Sequence, residues 1–191
     1  MSTVKNTPQR RHRSYNDSHE EIIEAAMRLI SEGGVGALSM SAIAQRLGID
    51  RTTLYYHFKD RDALIAEVKA SSSARLIRAF TFEGPIEDRI DYTTRYVLEN
   101  PELIKLWIDD FISVGDIRDN FPQWDAFIEV YKVAHAGDED PADPEIYFVN
   151  LLTSAVIGPR VFKNKVCPDA DIETVVRRFR LERMRMIRRQ A

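Results

Sequence analysis

Residues 38–64 read LSMSAIAQRLGIDRTTLYYHFKDRDAL, and the punctuation within them decides the fold. Ser39 can cap a helix running to about Leu47, with Ile43, Ala44 and Leu47 inward, and Gly48 suits the left-handed residue that ends it. Asp50 is placed to cap the next helix almost at once. Ile49, just ahead of that cap, can pack as a hydrophobic staple on Leu54, which shares a buried stripe with Phe58. Two short helices joined by Gly48, Ile49 and Asp50 are the parts of a helix-turn-helix, whose second helix enters the DNA major groove.

With Leu54 and Phe58 assigned to the core, the outward residues of that second helix are Arg51, Thr52, Thr53, Tyr55, Tyr56 and His57, with Lys59 just beyond. Arginine, threonine, tyrosine and lysine supply donors to phosphate oxygens, arginine also forks onto guanine, and a threonine methyl meets thymine. The same face also suits an amphipathic helix that never meets DNA. On that alternative the chain is a helical adaptor for another protein.

Outward from this segment the period stays helical, and no stretch alternates long enough to make a strand, so the expected fold is all-α. A first helix is predicted from Ser18, with Glu21 completing a capping box, an apolar face of Ile22, Ala26, Leu29 and Ile30, and a stop at Gly33, Gly34 and Gly36. A fourth opens at Asp60, turns Leu64, Val68, Leu76 and Phe80 inward, and breaks at Gly84 and Pro85. Further helices are predicted near 85–99, 101–114, 121–136, 143–165 and 170–189, separated by Pro101, Gly115, Pro122, the GDEDPADP segment at 137–144 and Pro168. The division expected is a basic arm over 1–17, a helix-turn-helix domain over 18–70 and a further helical domain over 71–191.

With 191 residues the chain can bury a sizeable core, and its 44% hydrophobic and 30% charged content is that of a folded, water-soluble protein. One cysteine, Cys167, supplies no disulfide framework; no apolar run could span a bilayer, and the N-terminus is no secretory signal, so a cytoplasmic protein without membrane contact is expected. The net charge of -3 hides an uneven distribution. Residues 1–70 carry 10 Lys and Arg against 9 Asp and Glu, residues 71–170 carry 10 against 18, and residues 171–191 carry 7 against 3. Lys5, Arg10, Arg11 and Arg13 precede any acidic residue, giving an arm that could seek polyanions or simply be a terminus. The seven arginines from Arg177 to Arg189 read as a solvated or ion-paired helix face.

No phosphate-cradling glycine loop, nucleophile elbow or H-E-x-x-H pair is present, and His12, His19, His57 and His135 are scattered, as lone surface histidines would be. An all-α enzyme is thus the weakest alternative, and neither cofactor nor metal is expected.

The stretch 38–64 resembles the DNA-binding signature of the tetracycline-repressor (TetR) family of bacterial transcription regulators. The small hydroxyl residue opening the second helix, the IAxRxG run ending at Gly48, the TLYYHF block and the lysine after it carry the resemblance, which extends over roughly 18–70. It implies that Ser39 contacts phosphate, that Thr53, Tyr55, Tyr56, His57 and Lys59 contact phosphates or bases, and that Arg51 and Thr52 read sequence. Asp50 departs from the serine frequent in the family; it keeps the cap but repels phosphate slightly.

The resemblance further implies a homodimer that holds double-stranded operator DNA and releases it when a small molecule enters the C-terminal domain. The broad apolar faces of helices 143–165 and 170–189 could form an intersubunit four-helix bundle, or could simply be core. Tyr96, Trp107, Phe111, Trp124, Phe127 and Tyr131, with Asn150 to orient a ligand, could line an effector cavity, although aromatics at helical spacing are more often plain core.

Overall fold

The computed structural model describes residues 15–81, 84–139 and 142–190, with the side chains of 79–81, 120, 134 and 189–190 excepted; the basic arm before Tyr15 and the side chain of Phe80 lie outside the described residues. Ten α-helices follow in order among them: α1 Tyr15–Gly33, α2 Met40–Leu47, α3 Arg51–His57, α4 Arg61–Thr81, α5 Ile86–Glu99, α6 Pro101–Phe111, α7 Ile117–Asn120, α8 Trp124–Ala134, α9 Pro144–Val161 and α10 Ile172–Gln190. No strand occurs among the described residues, and no helix there is long and apolar enough to cross a membrane.

Two large hydrophobic clusters and a smaller one, Leu98 of α5 with Val175 and Val176 of α10, organise the described residues. The first gathers Ile22, Ala26, Met27 and Ile30 of α1, Ile43 and Ala44 of α2, Leu54 and Phe58 around α3, and Leu64 and Val68 of α4. Leu103 of α6 also belongs to it, so α1–α4 and the later helices share packing. The second joins Leu76 and Ile77 of α4 to Tyr96, Val97, Ile104, Trp107, Phe121, Trp124, Ile128, Leu152 and Val156. α4 contributes to both cores and runs unbroken through residue 70, where the sequence division fell. Movement of this one helix would therefore disturb both units, because close-packed interiors transmit displacement.

Several expected boundaries are corrected. Ser18 stands inside α1, which already runs at Tyr15, so it does not start the helix; Tyr15 and His19 extend the packed face by one turn. The helix expected over 101–114 ends at Phe111, and a turn follows in which the Ser113 hydroxyl donates to the Asp109 carbonyl. The helix expected over 121–136 is split, because Asp116 caps the single turn of α7 and Pro122 forces a restart at Trp124. The helix expected over 143–165 is α as far as Val161, passing through Pro159, and widens into one π turn over Phe162–Val166. The last helix begins at Ile172, where the Asp171 carboxylate accepts from the Thr174 amide at 2.8 Å.

Candidate nucleic-acid interface

The geometry of the reading head follows from its caps. The Ser39 hydroxyl accepts from the Ala42 amide at 3.1 Å, and Gly48 takes φ 64, the left-handed conformation that glycine adopts without a Cβ clash. Its amide returns to the carbonyls of Ala44 and Gln45. Asp50 then accepts from the Thr53 amide at 2.8 Å and from the Thr53 hydroxyl at 3.2 Å. Those hydrogen bonds to the charged form, led by the Thr53 amide, hold the Asp50 carboxyl below its ordinary value. Leu54 is fully buried and Phe58 nearly so, which fixes the roll of α3 against the core.

That roll exposes Arg51, Thr52, Tyr55 and Tyr56, the last with 75% of its surface free, and Lys59 beyond the helix end. Lys59 lies 3.8 Å from Asp60, with 88% of its side chain in solvent. Ser39 is exposed at the start of α2, its hydroxyl engaged as a cap. Thr53 is half-buried with its hydroxyl committed to Asp50. Arg51 reaches across the turn, one Nη donating to Ser41 Oγ at 2.5 Å. A base-reading Arg51 would have to exchange that partner for an acceptor on DNA.

His57 departs from the rest. It is half-buried, its Nδ1 is shut off from solvent with no hydrogen-bond partner, and its ring lies 4.5 Å from that of Tyr15. Burial, followed by the neighbouring His19, pushes its imidazole below the ordinary value. The expectation of lone surface histidines is thus corrected for three of the four. His19 stacks on Phe58 at 4.6 Å, and His135 stacks on Tyr131 at 4.2 Å while pairing with Asp138 at 2.7 Å. His12 lies outside the described residues.

Three contacts that orient the head had no sequence signal. Arg46 of α2 makes a two-pronged bridge to Glu32 of α1, both prongs 2.6 Å, which lowers the Glu32 carboxyl chiefly through the hydrogen bond. Arg61, opening α4, donates Nε to the Leu38 carbonyl at 2.7 Å and Nη2 to that of Val35 at 2.8 Å. Arg75, further along α4, donates to Glu24 of α1.

In the helical domain, Tyr96, Trp107 and Trp124 are buried in the second core, and Phe111 and Phe127 pack against it. Trp107 stacks on Phe111 at 4.6 Å, and Tyr131 lies 4.7 Å from Tyr147. The Tyr96 hydroxyl is 3.1 Å from that of Ser72, and burial pushes the phenol up. Asn150 is exposed on α9. A cavity of about 10 Å³ lies between α4 and α6, against Val68, Ser72, Leu103, Leu106 and Trp107. An open groove of about 410 Å³ flanks it against Ala66, Ala70, Ala74, Ile77, Pro122 and Gln123. Lys69, Ser73 and Asp110 line both, Lys69 and Asp110 as an ion pair of 2.5 Å. Of the seven expected ligand-lining residues, Trp107 alone borders either space.

A capped helix pair with a cationic and phenolic outer face, packed against further helices, has the arrangement of a helix-turn-helix. Over residues 22–68 the chain matches the family described as bacterial regulatory proteins, tetR family. It is 38% identical over 58 residues to the class D tetracycline repressor protein of Escherichia coli, covering 30% of this chain and 27% of that protein. It is 33% identical over 60 residues to the HTH-type transcriptional regulator AcrR of Shigella flexneri, covering 31% and 28%. These matches span about a quarter of the relatives' length. Among solved structures, a TetR/AcrR-family transcriptional regulator from Thermobifida fusca shares the fold at TM-score 0.53 and 22% identity, over 86% of this chain and 97% of that one. A protein of unknown function from a Rhodococcus species shares it at TM-score 0.64 and 20% identity, over 90% and 95%.

Proposed function

We propose that this protein is a ligand-responsive transcription regulator, most simply a repressor, that holds a pseudo-palindromic operator as a homodimer. The carrying observation is the exposure of Arg51, Thr52, Tyr55, Tyr56 and Lys59 on one side of a helix whose other side is fixed by Leu54 and Phe58. Lys59, Tyr56 and Tyr55 serve as phosphate contacts, Ser39 and Thr53 supply further contacts at the helix starts, and Arg51 and Thr52 read bases. His57 supports the helix from behind. A single head makes few base contacts, so two heads on successive half-sites, about 34 Å or a multiple apart, supply specificity.

A small effector entering between α4 and α6 would act on α4, the helix shared by both cores, and so change the separation of the heads. The groove and cavity that share Lys69, Ser73 and Asp110 support that entry point. Trp107 borders the cavity, Tyr96, Phe111, Trp124 and Phe127 form the apolar body behind it, and Tyr131 lies apart against Tyr147 and His135.

Titration of variants against a selected duplex and a scrambled one at several salt concentrations tests the assignment. Lys59→Ala and Tyr56→Ala are expected to weaken binding to both duplexes, the former lowering the salt slope by about one. Arg51→Ala is expected to cost about 1–3 kcal/mol on the selected duplex and little on the scrambled one. Parental behaviour by all three would remove this face from DNA binding.

A further inference from the structure

We infer that the space between α4 and α6 takes an organic cation with an apolar tail, and that Lys69 is the resident cation such a ligand displaces. The proposal rests on the effector entry point given above and names the chemistry of what enters. Lys69, Ser73 and Asp110 line both the enclosed cavity and the open groove, so they form the partition between the two. The Lys69–Asp110 ion pair of 2.5 Å, each side chain 32% exposed, is what closes that partition. On its inner side stand Val68, Leu103, Leu106 and Trp107, which offer a ligand apolar contact and no charge. Opening the pair joins the cavity to a groove of about 410 Å³, a volume in the range of small-molecule sites.

The sign of the ligand's charge follows from which member of the pair can leave. Asp110 carries its carboxylate on a short stem close to the backbone of α6, whereas Lys69 carries its ammonium on a flexible four-carbon stem that can swing into solvent without moving α4. An entering molecule therefore meets a fixed anion and a movable cation. A second acid, Asp119 of α7, lines the groove and has no ion-pair partner among the described residues, while its neighbour Arg118 is engaged by Asp116 and Asp125. With the lysine withdrawn, the lining of the joined space presents two carboxylates and no base. An anionic ligand would need the reverse exchange, pulling the short Asp110 side chain out of place and leaving Asp119 to repel it.

The rest of the lining fits the same ligand. Ser73 has 8% of its surface exposed, lines both spaces and makes no side-chain hydrogen bond among the described residues, so its hydroxyl is free to accept from an ammonium. Ala66, Ala70 and Ala74 recur turn by turn along α4 and lay an apolar floor about 12 Å long for the tail, with Ile77 beyond it. Displacement of Lys69 also removes an ion pair that ties α6 to α4, the helix that contributes to both large cores.

Octylammonium and octanoate, alkyl chains of similar length and opposite charge, are the probes, titrated by calorimetry into the full chain at about pH 7.5, where both are ionised. The parent is expected to bind octylammonium saturably and octanoate not at all. Asp110→Asn, which keeps the shape and removes the charge, is expected to weaken octylammonium at least about tenfold, and Asp119→Asn severalfold. Lys69→Met is expected to strengthen it about tenfold, since a competitor and a like charge are both gone. A misfolded variant cannot produce that gain. Octanoate bound in preference, and lost in Lys69→Met, overturns the cation and keeps the entry point. Neither ion bound, or octylammonium bound alike by the parent and all three variants, overturns the site itself. Octylammonium bound as expected, with no effect on affinity for a duplex selected from a random library, sustains the site and overturns its role as the effector entry. No duplex bound by the parent overturns the DNA reading and does not touch the calorimetric result.

Discussion

At Gly48 the backbone has φ 64, and a Cβ built there meets nothing within 4 Å. Any penalty for substitution is therefore conformational rather than steric crowding. Gly48→Asn is expected to be nearly neutral, because asparagine tolerates the left-handed region, while Gly48→Val should cost about 1–2 kcal/mol in urea unfolding. Equal losses would show that the turn can relax to another conformation. Ser39, Gly48 and Asp50 were legible in the sequence because each acts on amides within four residues of itself. The bond from Arg51 to Ser41 was not, since it depends on the angle at which α2 and α3 cross. The same holds for His19 and His57, which sequence spacing separates by 38 positions and packing sets ring to ring.

Between elements, Arg61 ties the first turn of α4 to the chain leading into α2 by two charge-assisted bonds to the carbonyls of Leu38 and Val35. An arginine early in a helix reads as an ordinary surface cation, so nothing in the sequence marks this role. Its planar fork serves two carbonyls that diverge, which a lysine ammonium at the end of a single stem would not match. Arg61→Met is expected to destabilise the protein by about 2–3 kcal/mol in urea unfolding, given about 1.5–3 kcal/mol for a bond to a charged group. Arg61→Lys should recover only part of that. Full recovery by lysine would reduce Arg61 to a generic charge at the head of α4. The helix count in the C-terminal half was less legible than in the head, because Pro122 splits one expected helix whereas Pro159 is carried inside another. At Pro159 tertiary packing outweighs the local cost, for the residue is buried. The aromatic set was legible as apolar, but periodicity does not distinguish a wall of a cavity from the filling of a core, and most of it is filling.

For the molecule as a whole, α9 and α10 both lie against α5 and turn large apolar side chains outward, among them Ile146, Val149 and Val161 of α9 and Leu181, Met186 and Ile187 of α10. The proposed homodimer would cover these faces. Leu181 is 51% exposed in the single chain, so Leu181→Asp should leave the protomer fold intact. In a two-fold dimer the substitution appears twice, and each aspartate taken into an apolar interface without a partner carries a penalty of several kcal/mol. Dimer dissociation is then expected to rise by at least about a hundredfold, visible by sedimentation equilibrium. Val133 of α8 is 69% exposed but belongs to neither helix of the proposed interface, so Val133→Asp should leave the association unchanged. Operator binding should weaken with Leu181→Asp at low protein concentration and recover as concentration rises, because mass action restores the pair of heads. A Leu181→Asp protein that sediments as the parent does would move the dimer surface off α10; a monomer that binds the selected duplex as tightly as the parent would show that one head suffices.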